Sequence, residues 1–194
     1  MPVLCKNLGG ALLVLAVLVA GLTSQAHPQV APMPAPITKD FAADLRPEEF
    51  TGALDIRIHP EDGMLKPPAE LLLKDPLGRK IGLDPRRDQT FREIPHAHYE
   101  FEGIDDAESG APGPETGIIE IRNPAPGKYT LEIIGKAAGY YSIAVRGYDR
   151  NLKDSTMVLK KAKITSGARR TFSFTYSDEA GKRSVTPVTS GNNQ

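Results

Sequence analysis

Apolar residues in the middle of this chain recur at every second position, the spacing of half-buried β-strands. Leu54, Ile56 and Ile58 alternate with Asp55 and Arg57. Tyr129, Leu131 and Ile133 share one face of a second strand, and Tyr141, Ile143 and Val145 share a face of a third. Phe172, Phe174 and Tyr176 repeat the pattern near the end. Shorter apolar segments lie at Glu70–Lys74, Arg79–Leu83, His98–Phe101, Gly117–Arg122 and Met157–Ile164. Asp75-Pro76-Leu77-Gly78 reads as a type I turn: Asp accepts from the backbone, Pro presets φ and Gly closes the turn. The pattern predicts about eight or nine short strands and no long helix. The expected fold is all-β, an antiparallel β-sandwich or jelly roll. Tyr129–Gly135 and Gly139–Val145 read as a hairpin, and Met157–Ile164 with Arg170–Tyr176 as a final strand pair turning at Ser166-Gly167.

The flanks read differently. Lys6, then the apolar run Ala11–Leu22, then Ser24-Gln25-Ala26 form the sequence of a secretory signal cleaved after Ala26. The run is about 12 residues, against the roughly 20 a spanning helix needs. The expected product is secreted or periplasmic, with no membrane span after signal cleavage. Residues 27–49 begin as a Pro/Ala-rich tether, HPQVAPMPAP, with a short helix possible over Thr38–Leu45. Residues 50–176 form the β-domain, and 177–194 a polar, frayed tail.

The one cysteine, Cys5, lies inside the signal, so the mature chain has no disulfide, thiolate metal site or cysteine nucleophile. Its fold depends on core packing alone. The 194 residues carry 24 Lys+Arg against 24 Asp+Glu. That balance points to neither nucleic acid nor an anionic membrane as partner.

The segments Glu70–Gly82 (ELLLKDPLGRKIG), Glu93–Tyr99 and Ile119–Val145 follow one another in a familiar order. A strand with an Asp-Pro-x-Gly turn precedes a P-x-P-G-x-Y-x-L-x-I strand and a G-x-Y-x-I-x-V strand. In this the chain resembles bacterial pre-peptidase C-terminal (PPC-like) domains, the small β-sandwich modules at the ends of secreted hydrolases and adhesion proteins. The resemblance spans roughly half the chain and rests on turn and core chemistry that other sandwiches share. It implies a non-catalytic accessory role, with binding of a polymer or a partner protein in some members and of calcium in some. The Asp-rich calcium ligands of some relatives have no counterpart at matching positions.

Four groups of residues are candidates for chemistry. His96, His98 and Glu100 alternate, so all three could face one way and hold a transition metal, with His59 as a fourth ligand. The bland reading is a solvated edge strand after Pro95. Asp105, Asp106 and Glu108, with Glu102 nearby, supply hard oxygen ligands that could hold calcium; no other cofactor is expected beyond such a bound metal. The bland reading is a solvated acidic loop. Lys160, Lys161, Lys163, Arg169 and Arg170, like Arg79, Lys80, Arg86 and Arg87, could bind an acidic polysaccharide or lipid headgroups, or simply form a solvated outer face that guards a strand edge. Tyr140 and Tyr148 face away from the core-facing set and are the candidates for stacking on a ligand. No catalytic residue is assigned, because nucleophile-elbow, zinc-protease and phosphate-loop motifs are missing. The expected function is a secreted module binding a partner protein or extracellular polymer through its loops, of which 84–95 and 104–116 are the longest. The alternatives are a metal-dependent or hydrolytic enzyme built around His96/His98, and a structural envelope component.

Overall fold

The computed structural model describes residues 50–103, 105 and 109–188. The signal and tether segments, Asp106, Glu108 and residues 189–194 lie outside the described residues. Eleven strands and no helix make up the described chain. They are β1 (Ala53–Pro60), β2 (Ala69–Lys74), β3 (Lys80–Asp84), β4 (Gln89–Arg92), β5 (Ala97–Gly103), β6 (Glu115–Arg122), β7 (Gly127–Gly135), β8 (Gly139–Tyr148), β9 (Asp154–Ile164), β10 (Arg169–Tyr176) and β11 (Val185–Val188). A five-stranded sheet runs β5-β6-β1-β8-β9, and a six-stranded sheet runs β11-β10-β7-β2-β3-β4. Every pairing is antiparallel. The fold is the antiparallel sandwich that the alternation predicts.

The core lies between the sheets. Leu54, Ile56 and Ile58 of β1 and Ile119 and Ile121 of β6 face Leu71, Leu73, Tyr129, Leu131 and Ile133 across it. Tyr129 stacks on Phe174 at 5.4 Å between ring centroids and meets Tyr176 edge-on at 6.4 Å. Each such side chain contributes roughly 1.5–3 kcal/mol of burial. Polar tips are satisfied locally: the Tyr129 hydroxyl donates to the Ala125 carbonyl at 2.9 Å and the Tyr176 hydroxyl to the Tyr148 carbonyl at 2.9 Å. The Asp75 turn has the expected chemistry. Its carboxylate accepts from the Leu77 and Arg79 N–H groups at 2.9 and 2.8 Å, and Gly78 takes φ 84°.

The structure corrects the expected pairing of two ribbons. β7 and β8 are not a hairpin, because β7 bonds to β2 and β10 while β8 bonds to β1 and β9. The three residues between them cross from one sheet to the other. Their backbone is satisfied on the way: Gly135 N–H donates to the Ala168 carbonyl, and Lys136 and Ala137 donate to the Pro68 carbonyl. Any Cβ at Gly135 would run into the Thr165 carbonyl oxygen, so glycine is required at this corner. β9 and β10 likewise belong to opposite sheets. Apolar alternation is the same whether two strands lie side by side or face each other across a core, which is why it misleads here.

Two further strands escape the expected count of eight or nine. β4 lies within the expected loop 84–95; as a short edge strand it buries no side chain, and its periodicity is correspondingly weak. β11 lies in the expected frayed tail. Val185 is buried there, and residues 185–188 pair with Tyr176–Ser173. Pro187 is tolerated because β11 is an edge strand. Asp149 helps hold the approach, accepting from the N–H groups of Asn151, Lys153 and Gly181, each at 2.9 Å. Burial pulls its carboxyl upward, but those three donors outweigh it and hold the group below the usual carboxylate range.

Candidate functional site

Charge concentrates on the outward face of the five-stranded sheet. Register places His98, Glu120, Asp55, Arg146 and Thr156 in one row across all five strands. The next row is Glu100, Ile118, Arg57, Ala144 and Val158. Strand alternation makes this inevitable: Asp55 and Arg57 are the polar partners of Leu54, Ile56 and Ile58, turned away from the core.

Arg57 ties the rows together. Its Nε lies 3.0 Å from both Asp55 carboxylate oxygens, and its guanidinium reaches Glu120 at 3.4 Å. His98 Nε2 lies 3.3 Å from Glu120 and 3.4 Å from Glu100. Arg146 donates to the Thr156 hydroxyl at 3.3 Å. The centre of this network is closed to water: the Asp55 side chain is 2% exposed and Arg57 11%. Burial raises the Asp55 carboxyl, opposed by Arg57. Burial also raises Glu120, and the Asp55 charge opposite adds to it. Toward β5 the row opens, with His98 45% and Glu100 51% exposed. The accessible end of the network is therefore acidic, Glu100 and Glu102 on one strand face.

The expected metal trio divides. His98 and Glu100 share this face, but His96 precedes β5 with φ 53°, outside the strand's alternation. Its carbonyl accepts from Arg122 N–H. His59 sits toward the other end of β1, its Nδ1 3.0 Å from the Thr116 hydroxyl. Arg122 pairs Ala53, so His59 lies six residues further along β1, about 20 Å away at strand rise. Among the described residues no three His, Cys, Asp or Glu side chains are grouped to hold a metal ion. Burial lowers the His59 imidazole, and Arg57 adds to it.

Tyr140 and Tyr148 both project outward from β8 but lie eight residues apart, about 26 Å at strand rise. Tyr148 is only 8% exposed, and the Tyr140 ring carries the Lys161 ammonium at 5.1 Å and that of Lys163 at 6.0 Å. They do not form one platform. Of the calcium candidates Asp105 is exposed, and Asp106 and Glu108 lie outside the described residues. The basic gathering at the end of the chain splits between the edge strand β9 and strand β10 of the other sheet. Lys161 pairs with Asp62 at 2.6 Å, and Arg169 with Glu132 at 2.6 Å. Near the first turn, Arg79 pairs with Asp75 at 2.7 Å and Lys80 stands over the Phe91 ring.

Sequence reasoning missed a second polar cluster. The Glu70 carboxylate, 3% exposed, accepts from the Tyr99 hydroxyl and pairs with the Lys136 ammonium. It joins β2 of one sheet to edge strand β5 of the other, with Lys136 drawn from the β7–β8 crossing. Burial pushes the Tyr99 hydroxyl up, and the Glu70 charge adds to it. The signal for Glu70 is faint: one acid opening an apolar strand.

Fold and surface together define an all-β antiparallel sandwich with a charged sheet face. No protein-family model matches the chain, and comparison with curated proteins and with solved structures gives no match.

Proposed function

We propose that this chain is an exported, non-catalytic β-sandwich module that binds a partner protein, and that the exposed acidic end of the charged face, Glu100 and Glu102 beside His98, makes the contact. One observation carries the reading. The polar groups gather on the outside of a sheet, whereas a catalytic site needs them to converge in a concavity. A flat charged strip suits a cationic protein surface, which it would steer and orient more than it would hold. The PPC-like strand order supports an accessory role of this kind, and the signal-like N-terminus supports export.

The test is cross-linking and pull-down from the native secretome with the wild-type chain and a Glu100→Lys/Glu102→Lys variant. A partner captured by the first and lost by the second, with weaker capture at high salt, is the expected result. Capture indifferent to charge reversal, or hydrolytic activity that His98→Ala removes without unfolding the chain, overturns it. N-terminal sequencing of secreted material tests the export half, with His27 expected first and Met1 contradicting it.

A further inference from the structure

The outer face of the five-stranded sheet is closed where the outside of a two-layer sandwich is ordinarily wet. Alternation turns Ile118 and Glu120 of β6, Asp55 and Arg57 of β1, and Ala144 and Arg146 of β8 away from the core. Yet Ile118 is 1% exposed and Ala144 7%. No outward-facing residue of β6, β1 or β8 is exposed. Arg57 and Arg146 are the longest side chains on this face, and they are themselves almost closed to water. The Tyr148 hydroxyl and His59 Nε2, on the same face, are buried without a hydrogen-bond partner among the described residues. The outer face of the six-stranded sheet differs, for Lys128, Thr171 and Thr175 are exposed there.

The closed area is narrow. On one flank β5 presents His98, Glu100 and Glu102 to solvent, and on the other β9 presents Val158 and Lys160. Between them the closed strip is three strands wide, or two strand spacings, about 10 Å. That is about the diameter of one helix. A globular partner or a second copy covers about 800 Å² in a stable complex and would shade the flanking strands as well. A single slender segment fits the strip.

The chain has such a segment beside it. Thr51, two residues before β1, is held by its N–H donating to the Asn123 side chain at 2.9 Å. Residues 37–49, ITKDFAADLRPEE, lead directly into that point. Phe41 and Leu45 are four positions apart, with Ala42 beside them, while Lys39, Asp40, Asp44 and Arg46 take the remaining positions. This is the pattern of an amphipathic segment at helical period, ended by Pro47. Ile118 and Ala144 flank Arg57, four residues along β1 from Ala53, about 13 Å at strand rise. The eight residues from Leu45 to Ala53 reach up to about 26 Å, enough to turn back over that row.

We propose that residues 37–49 fold back over the outer face of the five-stranded sheet and lay Phe41 and Leu45 on Ile118, Ala144 and the aliphatic stem of Arg57. The segment is then a third layer over β6, β1 and β8, and it leaves only the edges of that face open. This inference stands apart from the partner contact proposed above, which uses β5 residues outside the covered strip.

The test is thiol labelling of Ala144→Cys in the full chain carrying Cys5→Ser, so that no other thiol competes. Slow labelling is expected, made about tenfold faster by Phe41→Ser/Leu45→Ser, while Thr171→Cys on the opposite outer face labels at one rate in both backgrounds. In the chain without the Phe41 and Leu45 changes, NMR should show contacts from the Phe41 ring to the Ile118 and Ala144 methyl groups. Fast labelling of Ala144→Cys with Phe41 and Leu45 in place, or absence of those contacts, overturns the proposal. Protection that grows with protein concentration assigns the cover to a second copy and overturns it too. Should the double variant fail to fold, the NMR contacts decide alone.

Discussion

The two long sides of the sandwich are closed by opposite means. On the β5 side a buried carboxylate, Glu70, binds Tyr99 from one sheet and Lys136 from the crossing between sheets. On the β9 side the sheets meet through apolar side chains that leave about 140 Å³ unfilled. A polar clasp is directional and costly to desolvate, so it holds only if every member is matched. Apolar packing is forgiving and tolerates a void, although the side chains around the void forgo dispersion attraction on that side. The first side therefore depends on three matched polar groups, and the second on packing that is locally incomplete.

The largest expected effect comes from widening the apolar side at its base. Phe174→Ala removes the ring stacked on Tyr129 and one wall of the void, and should cost about 3–5 kcal/mol in urea unfolding. A loss below about 1 kcal/mol would mean the void collapses freely and the β9 side is not packed as described. Next, Glu70→Gln keeps the shape of the clasp but removes its charge. Lys136 is about one-third exposed and can turn to water, so the expected cost is about 2 kcal/mol rather than the full penalty of a broken buried pair. No loss would make the clasp incidental. Leu159→Ala, on the partly exposed edge of that void, should cost only about 1 kcal/mol in the same unfolding measurement, and a cost as large as that of Phe174→Ala would mean that the edge is as tightly packed as the base.

The smallest effect is a tilt with pH. Asp55 and Glu120 have carboxyls raised above their ordinary values of 3.8 and 4.5 by burial. The native state therefore binds protons more tightly than the unfolded chain. The stabilisation is full below the ordinary carboxyl range and is lost as pH rises through the raised values. Unfolding free energy measured from about pH 4 upward should show this decline, and Asp55→Asn should flatten it. An unchanged slope in that variant would remove Asp55 as its source.

How far the sequence reveals this molecule differs from strand to strand. β1 is legible because Leu54, Ile56 and Ile58 all face one core while Asp55 and Arg57 face out. The Asp75 turn is legible because its residues determine the local backbone without help. β4 is not, since Gln89, Thr90 and Arg92 stay exposed and leave no periodic mark. Sheet membership of β7 and β8 is illegible for a different reason. Tyr129 and Tyr141 are both buried, and only the hydrogen bonds of distant strands decide whether they are neighbours or opposites. The charged face is half visible. Alternation alone brings His98 and Glu100 together, but Glu120, Asp55 and Arg57 join them only through the register of β6 and β1, which local spacing does not carry. The Glu70 clasp forms between sheets and leaves almost no trace along the chain.

Strand β1 is the first strand of the described chain and the middle of its sheet, bonded on one side to β6 and on the other to β8. On a ribosome it emerges before the other described strands and must wait for β6 and then β8 before both of its backbone edges are paired, while β2, β3, β4 and β7 of the opposite sheet are made in between. Such delayed closure belongs to topologies of high contact order, which fold slowly and are prone to stick to one another in the interval. A chain built this way benefits from an escort that covers the strand until its neighbours have been made.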